Sequence, residues 1–585
     1  MMRRTPPPSP SAPSRLARLL LAVLLTGILP HAGSAAAAGG RPDCPPGLAK
    51  KENGCQPPGR AKGRVLRVGT FHGIPGPFTT IQSAVDAARP GDWILVAPGD
   101  YHEQGDRANP WPDAASGGVY IATPGLHLRG MDRNRVVVDG TRPGAPQCSS
   151  DPNDQDPGPL DWSGNPLGRN GILVEANDVS IENLTACNFL DGSGGGGNQI
   201  WWDGGYESGQ IGMGSYSGRF LSATSTYFAG ADQPKAQYGI FANNARGPGR
   251  IVHAYASNMA DSAFYIGACP DCNALLRDVH AENSAEGYSG TNSGGHLVIA
   301  ESEWDGNLVG ISTNSQNSEG PSPQSGKCPD AEQGLAGKGL CTYFVGNYIH
   351  DNNNPNVPAA GDAGMGPIGT GVLLSGGRYD TFAWNRVEHN GSWGFLLLPY
   401  VDFNSPGPDN ANCAGGVVPL PTDPPPLNTL AAGGATCYFE DFGNEIHDNY
   451  LRDNGFFGND TNGDLGEISG LNDPGNCWYG NVDPSGVTSW PADLQTTHGT
   501  CGVPNQGDGF FGLLGVQLIC ATQALFPCTG LPGQPGYPQP TGVTVLPLPP
   551  QPSMANPCEG VPRNPWCRGG RREPGARSAQ LAHSS

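Results

Sequence analysis

The sequence predicts an all-β, parallel solenoid, and three observations carry that reading. A loose repeat of 23–24 residues runs from Gln237 to Leu398. Each unit joins short apolar runs through turns of Gly, Asn and Asp, the signature of brief strands. No apolar stripe at helical spacing crosses the region.

The period is read from the leading apolar residue of each unit. Ile240, Phe264, Tyr288 and Ile311 follow at intervals of 24, 24 and 23, and Val372 and Phe395 are again 23 apart. The 61 residues from Ile311 to Val372 make one unit plus an insertion of about 38. Second apolar runs are Ile251–Ala254, Leu275–Val279, His296–Ile299 and Thr381–Trp384, and the trailing asparagines are Asn258, Asn283, Asn307 and Asn390. Units of this size stack as coils one strand spacing apart, about 4.8 Å, so about ten coils make a rod of about 50 Å. Leucine-rich repeats need a consensus that is absent, and propeller blades need a period of about 40–50 residues. Composition fits the same picture. Glycine or proline fills one position in four, which without a period would mean disorder. With a period, glycine turns the chain where φ is positive, and asparagines at matching turns ladder their amides. Charged residues are only 15 %, as expected where half the strand positions face a closed core. A formal charge of −20 excludes a nucleic-acid binder, which needs a basic face.

Taken from the N-terminus, Arg3, Arg4, Arg15 and Arg18 precede the apolar run Leu19–Leu29 and the small-residue stretch Gly33–Gly40. This pattern reads as a signal peptide over 1–38, cleaved after Ala38. The run is short for a bilayer span and no later stretch is long and apolar enough. A secreted, extracellular protein with no stable membrane insertion after cleavage is expected. Sixteen cysteines fit an oxidising compartment. In order they form close pairs: Cys44 and Cys55, Cys148 and Cys187, Cys269 and Cys272, Cys328 and Cys341. Cys413 and Cys437, Cys477 and Cys501, Cys520 and Cys528, and Cys558 and Cys567 follow. Spacing does not fix connectivity, and sequential staples are the pairing expected. Residues 39–64 are a Pro/Gly-rich stapled linker. Phe78–Ala88 places Ile81, Ala84, Val85 and Ala88 on one helical face, with Thr79 or Thr80 as N-cap and Pro90-Gly91 as the stop. A short helix here caps the exposed edge of the first coil. The strand Trp93–Val96 and a turn at Pro98-Gly99 follow.

The run Phe78–Ala88, then Gly91-Asp92-x-Ile94-x-Val96-x-Pro98-Gly99-x-Tyr101-x-Glu103, resembles the opening of pectin-lyase-like right-handed parallel β-helix proteins. Leu126–Gly130 and Val136–Gly140 look like their second coil, and Asn170–Val174 with Ile181–Leu184 resembles the generic repeat. The resemblance implies a right-handed parallel β-helix over 65–455, with insertions at about 191–236, 315–341 and 402–437. A Cys-containing, Gly/Asp-rich extension is expected over 456–529 and a Pro-rich, disordered tail over 530–585.

Fold alone does not fix activity. Gly99-Asp100-Tyr101-His102-Glu103 resembles an element of pectinesterases, but the motifs carrying their catalytic groups have no match in the coils. The acid cluster of polygalacturonases, the Asp-Pro-His of uronan epimerases and a pectate-lyase signature are likewise missing. Gly346–Asn352 recurs as Gly443–Asn449, identical at six of seven positions. Strand alternation then sets His280, His350, Glu388 and His447 in one outward column, an acid–base or cation-holding row, or repeat consensus on a solvated strand. Trp201, Trp202 and Tyr206, in a glycine-rich stretch, offer flat faces for sugar rings or a lid over the coil beneath. Asp460, Asn462 and Asp464 space oxygens as calcium loops do, although Leu471 stands where a bidentate Glu belongs. Two functions follow. One is a secreted enzyme acting on polysaccharide as lyase or glycoside hydrolase. The other is a non-catalytic surface or matrix protein acting as a rigid scaffold. Neutral glycans, or acidic ones bridged by calcium, suit the negative charge.

Overall fold

The computed structural model describes residues 49–51, 54–56, 63–105, 114–205, 212–269, 271–316, 342–406, 417–419, 435–439, 441–468, 475–503, 521 and 537–568. The signal peptide and Tyr206 lie outside them, as do Cys44, Cys328, Cys341, Cys413, Cys520 and Cys528 and the side chains of Cys55 and Cys437. Two units are distinguished, Met1–Ala61 and Lys62–Ser585. Described in the first is an antiparallel pair, Ala49–Lys51 with Gly54–Gln56.

The second unit is a parallel β-helix. Its eleven-stranded sheet runs from Ser116–Ile121 to Ser489–Trp490, each strand pairing with the equivalent strand of the next coil. The register Ile240–Phe264–Tyr288–Ile311–Val372–Phe395–Leu465 is continuous, so the apolar period of the sequence is the coil period. These side chains are fully buried and stack up the rod. A twenty-stranded sheet makes the other two sides. The second side stacks Ile251, Leu276, Ile299, Phe344, Phe382 and Ile446. The third stacks Ala256, Ala281, Trp304, Ile349, Val387 and Leu451. Phe344 and Phe382 stack face to face in the core, centroids 4.1 Å apart.

The corner between second and third sides is made by one residue with positive φ in each coil. In the five coils from Ile251 to Phe382 these are His253, Asp278, Glu301, Gly346 and Trp384, at 55°, 52°, 49°, 65° and 53°. Four of the five are not glycine, so side-chain bonding and the stacked neighbours must hold an αL conformation that most L-residues avoid. Asparagines finish the turns. Asn347, Asn385 and Asn449 each donate Nδ2–H to the Oδ1 of the next, ending on Asn481, at 3.0, 2.9 and 2.8 Å, and Gln495 Oε1 accepts from Asn481 at 3.1 Å. Asn307, Asn352, Asn390 and Asn454 form a second ladder at 3.1–3.2 Å, which ends on Asp464.

The ends are closed. Helix α1 (Ile81–Ala87) starts at Thr80, whose side chain accepts from the Ser83 N–H. Helix α2 (Leu494–Thr497) buries Leu494 against the last coil. Among the described residues four disulfides join Cys148 to Cys187, Cys269 to Cys272, Cys477 to Cys501 and Cys558 to Cys567. Cys477 sits in a coil strand paired with Glu445, but Cys501 lies beyond α2 rather than in the next strand. This staple therefore ties the cap to the coils instead of bridging two coils.

Four features depart from the sequence reading. The stretch 191–236 is itself a coil: Ile200–Asp203 and Tyr216–Thr224 take regular places in the two sheets. Its long loops disguise the period. Coils continue beyond 455 through Cys477–Tyr479 and Ser489–Trp490. The excess between Ile311 and Val372 divides in two, because the coil strands Thr342–Val345 and Tyr348–His350 lie inside it. Lastly, residues 537–568 do not hang free. Asn258, Asn134 and Asn183 each accept from and donate to the backbone of Leu546, Gln551 and Ala555, laying the tail along the coils. Proline-rich chain has unused carbonyls, and outward amides at the turns satisfy them. Among the described residues no helix is long and apolar enough to cross a membrane.

Candidate functional site

The outer face of the eleven-stranded sheet gathers aromatic rings and then carboxyl groups. Alternation turns the neighbour of each core residue outward, so Trp201, Phe241 and Tyr265 stack in register, followed by Ser289 and Ser312. Trp201 lies flat on Phe241, centroids 5.2 Å apart and planes at 8°. Tyr238 stacks on the same ring at 4.6 Å and Tyr265 meets it edge-on at 4.7 Å. Trp201 is fixed by donating Nε1–H to Asn243 Oδ1 at 2.8 Å. At one margin Tyr120 donates to Glu175 at 2.6 Å, and burial pushes the Asp203 carboxyl up to about 6.

Where the aromatic stripe ends, Asp261 and Glu286 occupy successive coils, joined by the Glu286 N–H to the Asp261 carbonyl at 2.9 Å. The Asp261 carboxylate accepts from Ser262 Oγ at 2.6 Å and from Tyr238 OH at 2.9 Å. Glu286 is 7 % exposed, and the Ser312 and Ser289 hydroxyls bond its carboxyl. A segment of the divided insertion overhangs them: the Ala360 N–H donates to the Ala260 carbonyl at 2.9 Å, and the Asp362 charge acts on both carboxyls. Burial first, then the neighbouring Asp261 charge, pushes Glu286 up to about 8. Burial, partly offset by the Ser262 and Tyr238 hydrogen bonds, pushes Asp261 up to about 6. One carboxyl thus keeps its proton at neutral pH while its neighbour ionises, the division of labour that acid–base catalysis requires.

The residues expected from sequence are distributed unequally over this framework. Trp201 belongs to the stripe. Trp202 points the opposite way and is fully buried beside Tyr216, because it pairs in register with the core residues Val174 and Ala242. The expected His/Glu column is split. His350 and Glu388 are register partners on the third side, but His280 aligns with Glu303 and Tyr348, two positions off that column. His447 lies on the second side, opposite Ala383 and Tyr479. The seven-residue match misled because each side of a coil spans about five residues: Asn449, not Asn444, ladders with Asn347 through Asn385. Identical segments therefore stand on different sides. Glu388 is held by Arg386 at 2.6 and 2.7 Å, and His447 by Asp448 at 2.9 Å.

Of the three residues only Asp460 is exposed, and the Asn462 Oδ1 accepts from the Asn459 N–H at 3.1 Å. Asp464 is buried. Its Oδ2 accepts from the Thr488 N–H and hydroxyl at 2.9 and 3.0 Å, and its Oδ1 accepts from Asn454. The loop thus spends its best calcium ligand on closing a coil. Glu103 of the pectinesterase-like element is structural as well, its carboxylate accepting from the Ile81 and Gln82 N–H groups at the start of α1. Asp261 and Glu286 were missed. Their signal is an acid two or three places before the inward aromatic of a unit, in strands otherwise nearly free of charge.

No family model matches the chain, and no curated protein does. Among solved structures it is similar to the mannuronan C-5 epimerase AlgE6 A-module of Azotobacter vinelandii, at 13 % identity over 68 % of this chain and 89 % of that one, TM-score 0.39. It is also similar to pectin methylesterase PemA from Erwinia chrysanthemi, at 14 % over 49 % and 79 %, TM-score 0.30. Pectate lyase Pel9A stands at 11 % over 67 % and 71 %, TM-score 0.31. These likenesses are remote, and the parallel β-helix rests on the strand register itself.

Proposed function

We propose that the protein is a secreted glycan-processing β-helix protein that binds a polysaccharide along the eleven-stranded sheet. The observation that carries the reading is the aromatic stripe leading to two carboxyl groups of unequal proton affinity. Tyr120 to Ser289 spans six coils, about 24 Å at one strand spacing each, room for several sugar rings in line. In this reading Trp201, backed by Phe241, carries a sugar ring by stacking. Glu286, protonated at neutral pH, gives its proton to the leaving glycosidic oxygen, and ionised Asp261 takes a proton from the attacking water. The arrangement favours glycoside hydrolysis over elimination, since the described outer face brings no Lys or Arg to these carboxyls. With Asp203, Asp261, Glu286 and Asp362 along the face and a chain charge of −20, a neutral polysaccharide is the fitting substrate. The disulfides and the signal-like N-terminus support an extracellular setting.

A panel of neutral and acidic polysaccharides, with and without calcium, tests this by new reducing ends and by the ultraviolet absorbance of unsaturated products. Release from a neutral glycan, lost in E286Q and D261N, is the expected result. Binding without turnover across the panel replaces the enzyme with the rigid scaffold. Unsaturated products from an acidic glycan would overturn the hydrolytic chemistry.

A further inference from the structure

The third side carries a different chemistry, in which histidines alternate with carboxylates across coils. His280–Glu282, Glu303–Asp305 and Tyr348–His350 are consecutive parallel strands, with His280 beside Glu303 and Glu282 beside Asp305 beside His350. Ligand atoms of His280, Glu282 and Asp305 lie within 4.8 Å of one another, and so do those of Glu303, Asp305 and His350. Asp305 belongs to both sets. His280 Nε2 meets Asp305 Oδ1 at 2.6 Å and His350 Nε2 meets Glu303 Oε1 at 3.2 Å.

The geometry points to a divalent transition-metal site of the Zn²⁺ class centred on Asp305, with ligands from His280, Glu282, Glu303 and His350. Calcium and magnesium prefer all-oxygen shells, whereas imidazole nitrogen mixed with carboxylate oxygen suits zinc and its neighbours. His350 is already oriented as a metal-bound histidine is: Asp351 holds Nδ1 at 2.8 Å, and the ring stacks on Tyr348 at 3.8 Å, leaving Nε2 for the cluster. The ligands stand on paired strands, whose register fixes their spacing. The protein also carries isolated His–carboxylate pairs for comparison, His253 with Asp278 and His296 with Asp271. Each offers one imidazole and one carboxylate, whereas each set that includes Asp305 brings one imidazole and two carboxylates together, and Asp305 joins the two sets.

The site is tested on the chelator-treated full chain by calorimetric titration with ZnCl₂ and by the visible spectrum with Co²⁺. The expected result is saturable binding with a cobalt spectrum of mixed nitrogen and oxygen ligation. D305N, H280Q and H350Q should each weaken it by about 10-fold or more, and D351N by about 10-fold while keeping the spectrum. H253Q should leave it unchanged. Thermal melts in chelator establish that each variant folds, and H280Q and H350Q decide the matter should D305N fail to fold. Equal affinity in D305N and H253Q, or wild-type titrations in both H280Q and H350Q, would overturn the site.

Discussion

Two outer faces of one rod use the same residue classes to opposite ends. On the third side, acids alternate with His and Arg, as in His280 with Asp305 and Arg386 with Glu388, so charges meet partners near solvent. Burial pulls the His280 proton affinity down, but the Asp305 hydrogen bond and charge, with Glu303 and Glu282, outweigh it and hold it raised. On the eleven-stranded sheet, Asp261 and Glu286 face hydroxyls and another acid rather than a cation. An overhanging segment removes water there, and the cheaper solution is to keep a proton. The strands are alike. What differs is the loop above them.

The largest expected effect breaks the buried side of this comparison. E286Q or D261N should lower glycan turnover by about 10²–10⁴-fold with circular dichroism unchanged, the range for loss of a positioned acid or base. The wild-type rate should peak between limbs near 6 and 8, the values to which the two groups are pushed. A rate flat across that window would remove the pair from the chemistry. F344A strikes the core beneath both faces, deleting a ring stacked on Phe382. It should cost about 3–5 kcal/mol in chemical denaturation.

A smaller effect has a sign fixed by linkage. Glu286 keeps its proton in the folded chain to about 8 against an ordinary 4.5. The unfolded chain therefore releases that proton first, and stability falls as pH rises from 4.5 through about 8. E286Q should remove this fall, so its melting temperature at alkaline pH should exceed that of the wild type, with the gap closing below pH 4.5. W201A should weaken glycan binding by about 10-fold in affinity electrophoresis, the scale of one lost aromatic stack. Smallest is E301Q at the corner between the second and third sides, where the Arg277 ion pair at 2.5 Å is half exposed on both partners. It should change stability by about 0–1 kcal/mol, a contrast with the buried carboxyls that sharpens the comparison.

The sequence by itself determined the solenoid. Ile240, Phe264, Tyr288 and Ile311 recur at the coil period because each coil must place one apolar residue over the last. Helix α1 and its Thr80 cap were legible for the same local reason. In sequence Trp201 and Trp202 read alike as ring faces in a glycine-rich stretch, whereas the strand there turns Trp201 outward and buries Trp202. The tertiary structure alone decided which side of the rod each outward residue faces. A shift of about five residues moves a motif to another side, which separated His447 from His350. It alone also brought Ala360 and Asp362, about one hundred residues distant in sequence, over Asp261. Periodicity encodes stacking because stacking is local to adjacent coils. Burial of an outward carboxyl is set by whatever loop lies across it, and the strand that carries it holds no record of that.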